Sequence, residues 1–163
     1  MGRMQYRIEI AKLARLLELH SPQGLVSRHA VRLGSNPEAD KAVEGDGATP
    51  SGDFYVCARN PRSKFFLSLC ISYPNAADAE RGLRTGLINA EEHTQILQAI
   101  RLGEMPPQHT RLGGEIYIHG QPAQAVADAS RPDWTRGCIA LDNEAMRDLY
   151  DRVGLGTPVI IRR

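Results

Sequence analysis

Short runs in which apolar and polar residues alternate fill the first half of the chain, each cut off by Gly, Pro, Ser or Asn. A period of two puts alternate side chains on opposite faces of a strand. Strands are therefore predicted at about 5 to 11, 14 to 19, 25 to 32, 53 to 58 and 65 to 72, with Pro158-Val159-Ile160-Ile161 as a last strand. The architecture expected from them is mostly antiparallel β. Glu115, Tyr117 and His119 share one parity of a further run and Ile116 and Ile118 the other, which predicts a strand with one buried face ending at Gly120. The Gly-, Asp- and Pro-rich stretch 44 to 53 lacks the spacing and terminal Lys-Ser/Thr of a phosphate loop and is expected to be a long hairpin connection. Thr49-Pro50-Ser51-Gly52 suits a tight turn within it.

From 74 to 113 the pattern changes to helix and loop. Asn89 and Glu92 have the spacing of a capping pair, Ile96, Leu97 and Ile100 form an apolar stripe, and Gly103 is a stop signal. Glu91, Glu92 and Arg101 read as the solvated face. A segment this long ahead of the histidine strand is either a lid over a site or a helix covering one face of the sheet. Asp142 or Asn143 can cap another helix, with Met146, Leu149, Tyr150 and Val153 on one side and Gly154 at its end. The fold class expected is mostly β with flanking helices, as one domain over 1–163 carrying a helical insertion at about 74–113.

Composition narrows the function. The chain has 163 residues, 42% of them hydrophobic, which suits one compact domain. Twenty basic and 19 acidic side chains give a formal charge of +1, so the overall charge makes no case for nucleic acid or an anionic membrane. No apolar run reaches the length of a membrane span, and no signal peptide is read ahead of the strand-like Tyr6–Ile10. Three cysteines leave at least one outside any intrachain disulfide. Cys57 and Cys70 lie in aromatic and branched runs and are expected to be small buried strand residues. No Cys-x-x-Cys or paired-histidine spacing points to zinc, and no metal or organic cofactor is expected.

The chemistry concentrates in Ile116-Tyr117-Ile118-His119-Gly120 and Thr135-Arg136-Gly137-Cys138-Ile139. These supply an imidazole, a thiol and a glycine turn beside the thiol, the parts of a cysteine nucleophile site. A free thiol has a pKa of roughly 8.5 and needs a partner that takes its proton or stabilises its anion. His119 can do both, and Cys138 beside it is expected to be ionised well below that value. The amides of Gly137 and Cys138 could face a developing oxyanion. The apolar setting Cys138-Ile139-Ala140-Leu141 also suits plain core packing. His20, His29, His93 and His109 are expected to be surface imidazoles, and Trp134 to pack or to shape a groove wall.

The segment from His119 to Leu141 resembles the signature of the L,D-transpeptidases, the YkuD-type catalytic domain. In that family a His-Gly pair precedes a Ser/Thr-His/Arg-Gly-Cys box, here Thr135-Arg136-Gly137-Cys138. The resemblance extends through Leu33-Gly34, Lys41, the loop Glu44 to Phe54 and Gly113-Gly114, and covers about residues 5 to 162. Ala140 stands where many members carry arginine, as in a subgroup with Gly-Cys-Ile-Ala that resembles murein-tailoring and murein-hydrolysing members. The resemblance implies a β-sandwich or barrel-like fold, peptidoglycan stem peptides as substrate, carbapenems as inhibitors, and a periplasmic or cell-envelope location. It implies Cys138 as nucleophile, His119 as base and the Gly120 carbonyl as the group that orients the ring. Gly137 would serve the oxyanion, and Arg136, Thr135 and Tyr117 would bind substrate. Arg136 could meet a substrate carboxylate or pair at the surface with Asp133 or Asp142. Hydrolysis of the acyl-enzyme by water is the alternative outcome. A non-catalytic wall-binding module and a redox-responsive thiol protein are readings from other classes.

Overall fold

The computed structural model describes residues 5–121 and 133–163. Eight strands and three helices follow in the order β1 Arg7–Ala11, β2 Leu16–Ser21, β3 Gly24–Ala30, β4 Gly52–Ser63, β5 Phe66–Ile71, α1 Ala76–Arg84, α2 Ala90–Leu102, β6 Tyr117–His119, β7 Ile139–Ala140, α3 Asn143–Arg152 and β8 Pro158–Arg162. The strands form one sheet of order β3-β2-β1-β8-β4-β5-β6-β7. Pairing is antiparallel except at β1–β8 and β6–β7.

Alternation in the sequence becomes burial by parity. Ile8 and Ile10 of β1 lie opposite Leu19 and Leu17 of β2, and beside Val159 and Ile161 of β8. All six are almost wholly buried. α3 covers this face with Met146, Leu149 and Tyr150. Arg59 of β4 lies over the Tyr150 ring at 4.1 Å and donates to the Tyr150 carbonyl at 2.6 Å, which ties the helix to the sheet. β5 is buried at every residue from Leu67 to Ile71, so it is covered on both faces.

The stretch between β3 and β4 is not a hairpin connection. β3 is an edge strand, while β4 lies between β8 and β5 with three strands separating it from β3. The connection crosses the sheet and is held by buried cations. Lys12 donates to the carbonyls of Ala39 and Thr49 at 2.9 and 2.6 Å. Lys41, 3% exposed, pairs with Asp46 at 3.0 Å. Asp46 also accepts the amides of Ala42, Val43 and Ala48. These bonds hold its carboxyl below the ordinary value although burial opposes them. Loop geometry of this kind is set by contacts that leave no periodic trace in sequence.

The Asn89–Glu92 capping box forms as expected, and Gly103 closes α2 in the left-handed region at φ 71°. A second capping box, Asn75 with Asp78, starts α1, a helix that the sequence reading did not separate. Ala79, Ile88, Ile96 and Leu112 make a small core of their own. Tyr73 joins it to the sheet by donating its hydroxyl to the Leu112 carbonyl at 2.6 Å. Asp142 stands at the N-cap of α3 without a side-chain cap bond.

Candidate active site

β6 and β7 run parallel, with Ile118 beside Ile139 and His119 beside Ala140. Cys138 therefore lies level with Tyr117, on the side of the strand pair that carries His119. The Tyr117 amide donates to Cys138 Sγ at 3.4 Å, and the thiol donates to the Glu115 carbonyl at 3.4 Å. Glu115 can turn its carbonyl to the thiol because its backbone is left-handed, at φ 56°. Such a backbone is uncommon outside glycine and must be held in place. Gln108 holds it, accepting the Glu115 amide at 2.7 Å while its own amide donates to the carbonyls of Tyr73 and Pro106, both at 2.9 Å. The expected strand over 115–119 is thus shortened to Tyr117–His119.

The residues ahead of the cysteine form an internally bonded turn. Thr135 donates its hydroxyl to the Cys138 carbonyl at 2.7 Å and accepts the Gly137 amide at 3.1 Å. Thr135 is buried, and both its hydroxyl and the Gly137 amide serve this turn. Gly137 has φ 138°, and a Cβ there would lie 2.8 Å from the Ala48 carbonyl oxygen and 3.0 Å from Ile116 Cδ1. Asp133 anchors the turn from behind. It takes Arg15 in a two-point pair at 2.9 and 2.8 Å and accepts the Leu33 amide at 3.1 Å. Asp133 is therefore not the partner of Arg136, which is exposed and makes no ion pair among the described residues.

His119 is 2% exposed. Its ring stacks on Phe65 with centroids 4.4 Å apart and planes 25° apart, and meets Trp134 edge-on at 5.9 Å. Nδ1 lies 2.6 Å from the Gly120 carbonyl oxygen. A carbonyl only accepts, so Nδ1 carries the hydrogen and the lone pair is on Nε2. Asn143 accepts the Gln121 amide at 2.7 Å and abuts Gly120, which fixes that carbonyl. Burial lowers the His119 pKa, against the smaller opposing effect of the Gly120 bond. Burial also pushes the Cys138 thiol up to about 11, more than the Tyr117 amide lowers it. Both shifts favour the neutral forms, thiol and imidazole. That reverses the expectation of a thiolate well below the ordinary range, because desolvation outweighs stabilisation of the anion here.

Both groups line a cleft of about 1060 Å³, with Arg62, Lys64 and Phe65 of the β4–β5 hairpin, and Trp134 and Arg136. Tyr117 lines it too, its hydroxyl pushed up to about 12 mainly by burial. His109 is also on the wall, whereas His93 pairs with Glu80 at 2.9 Å. His20 sits within a strand, 3.1 Å from Glu9. Glu9, Glu18 and His20, on β1 and β2, are the one group among the described residues spaced to hold a metal ion. Arg28 already supplies a cation there, at 2.6 Å from Glu18, as Arg7 does at 3.0 Å from Glu9. Sequence reading missed Phe65, Gln108 and the Arg15–Asp133 pair. No local pattern marks them, since each acts on a residue from a distant part of the chain.

The chain belongs to the YkuD family of L,D-transpeptidase catalytic domains, whose match spans residues 5–161. Its fold is similar to that of Pgp2, the helical cell shape determining protein of Campylobacter jejuni, at 22% identity and a TM-score of 0.69, over 98% of this chain and 48% of that one. It is similar to Bd1075 of Bdellovibrio bacteriovorus at 20% identity and a TM-score of 0.62, over 98% and 48% of the two chains. An L,D-transpeptidase solved in complex with imipenem shares the fold at 12% identity and a TM-score of 0.55, over 98% and 59%. The chain spans about half the length of the first two structures. A comparison with curated proteins found no match. No helix among the described residues is long and apolar enough to cross a membrane.

Proposed function

We propose that this protein is a cysteine-dependent L,D-transpeptidase acting on peptidoglycan stem peptides in the cell envelope, with Cys138 as nucleophile and His119 as base. The observation that carries this reading is the 2.6 Å bond from His119 Nδ1–H to the Gly120 carbonyl, which leaves Nε2 as the proton acceptor on the cleft that holds Cys138. At rest the thiol proton points to the Glu115 carbonyl. On attack it passes to Nε2 as sulfur bonds to the carbonyl carbon of the donor stem, so the imidazole acts as a general base on a neutral thiol. The tetrahedral intermediate expels the amine of D-alanine, which takes the proton back from His119 and leaves a thioester. The amine of a second stem then attacks the thioester, and His119 again takes and returns the proton. With the Gly137 amide bonded to Thr135, the Cys138 amide is the remaining candidate for the oxyanion. Thr135 on this reading positions the turn, while Arg136 and Tyr117 face the substrate from the cleft wall. Water in place of the second amine makes the same site a peptidase.

Incubation with purified muropeptides, with products weighed by mass spectrometry, tests this. Cross-linked stems are expected from the wild type and none from Cys138→Ala or His119→Ala. A carbapenem is expected to add covalently to the peptide bearing Cys138, a test supported by the imipenem complex of a protein with this fold. Wild-type turnover by Cys138→Ala would overturn the assignment, and shortened stems without cross-links would favour the peptidase.

A further inference from the structure

The two cysteines outside the catalytic pair are thirteen residues apart in sequence and side by side in the fold. Val56 pairs with Ile71 and Ala58 pairs with Cys70, so β4 carries one extra residue at this point and Cys57 is the bulged one beside Cys70. The Cys57 thiol donates to the Cys70 carbonyl oxygen at 3.5 Å, and the Cys70 thiol donates to the Ile71 carbonyl at 3.6 Å. The Cα partner of Cys70 is Ala58, and partners across an antiparallel pair lie about 4.5–5.5 Å apart, with Cys57 next to Ala58 on the bulge. A disulfide spans about 4.4–6.8 Å between Cα atoms, so closure calls for the bulge to carry Cys57 into that range. All three thiols are free, with Cys57 half-buried and Cys70 buried.

We propose that Cys57 and Cys70 are a redox pair that closes to a disulfide by exchange with a small-molecule or protein disulfide, stapling the β4–β5 hairpin that presents Phe65 to His119. Cys57, the more accessible thiol, loses its proton and attacks one sulfur of the external disulfide. One thiolate leaves and a mixed disulfide remains on Cys57. Cys70 then loses its proton and attacks the Cys57 sulfur, expelling the second thiolate. The two cysteine sulfurs are oxidised, the external disulfide is reduced to two thiols, and these carry away the two protons. The order suits the exposure, with Cys57 half-buried and Cys70 buried. The staple would sit one strand from the nucleophile, since Cys70 pairs with Tyr117, whose amide meets Cys138 Sγ. It would enclose Arg62, Lys64 and Phe65 of the cleft wall and leave Cys138 as the single free thiol. The proposal is independent of the reaction assigned to the site.

The test is incubation of the intact protein with excess oxidised glutathione, alkylation of the remaining thiols, peptide mapping and a melting curve against a dithiothreitol-reduced sample. A cross-linked Cys57–Cys70 peptide is expected in both the wild type and Cys138→Ala, two hydrogens lighter than the reduced pair. Closing a loop of this length should raise Tm by roughly 5–10 °C. Cys57→Ser should show neither the cross-link nor the rise. Because the wild type is compared with itself, the test does not depend on that variant folding. Recovery of Cys57 and Cys70 as separately alkylated or glutathionylated peptides from folded protein would overturn the proposal. A cross-link that leaves Tm unchanged would overturn its role as a staple.

Discussion

Phe65 lies against the ring of His119, 4.4 Å between centroids, and covers the imidazole from the tip of the β4–β5 hairpin. A ring held this way keeps one orientation, and the stack covers one of its faces. Phe65→Ala should uncover the imidazole and bring its depressed pKa back toward the ordinary histidine value. If His119 is the base as proposed, a loss of roughly tenfold to a hundredfold in kcat/KM is expected, since small misplacements of a reacting group can cost about a hundredfold. A histidine NMR titration with muropeptide kinetics would check both, and an unmoved His119 titration would show that the stack does not set its acidity.

The pH profile should carry two signatures. Alkylation of Cys138 by iodoacetamide should keep rising well past the ordinary thiol range, toward the value of about 11. Turnover has the opposite limb. In the proposed mechanism His119 accepts the thiol proton and must be unprotonated; its pKa is lowered, so kcat/KM should hold through neutrality and fall only as pH drops below the ordinary histidine value. An alkylation plateau below neutral pH would mean a preformed thiolate and refute the neutral pair.

Asp133→Ala should loosen the turn that carries the thiol. It removes a two-point pair with Arg15 and the acceptor of the Leu33 amide, with Asp133 mostly buried and Arg15 about one third exposed. After allowance for solvent screening, a loss of about 1–2 kcal/mol is expected. Tm should fall by roughly 2–8 °C. Thermal denaturation measures it, and an unchanged Tm would show that Asp133 contributes nothing to holding the turn.

Two glycines with positive φ should answer differently to alanine. At Gly137 a Cβ would meet the Ala48 carbonyl oxygen at 2.8 Å, whereas at Gly156 nothing lies within 4 Å. Gly156→Ala should cost only its backbone strain, about 1 kcal/mol. Gly137→Ala adds a clash with backbone and should yield little folded protein or a Tm lower by many degrees. Equal behaviour of the two variants by circular dichroism would show that the crowding at Gly137 is relieved.

Arg136→Ala should raise KM for muropeptides by roughly tenfold to a hundredfold if the guanidinium meets a substrate carboxylate. The alkylation rate of Cys138 should stay the same. Equal kinetics for variant and wild type would place Arg136 outside the binding surface.

What the sequence by itself determined is local. The parity of Ile8, Ile10, Leu17 and Leu19 told which side of each strand is buried, because alternation maps directly onto strand faces. The Asn89–Glu92 pair and Gly103 told where α2 begins and ends, since a cap is made within one turn. His119, Gly137 and Cys138 were singled out by residue type and, above all, by resemblance to the family, and the structure brings His119 and Cys138 onto one cleft. The tertiary structure decided what depends on distant segments meeting. It inserted β8 between β1 and β4, which turned an expected hairpin connection into a crossover. It set Arg15 against Asp133, Phe65 against His119 and Cys57 beside Cys70. It also set the surroundings of the thiol: Cys138 has a histidine on the same cleft, and burial there raises its pKa. Periodicity and capping report a residue's own turn or strand. Burial is the sum of contacts made by the whole chain, and no local motif reports it.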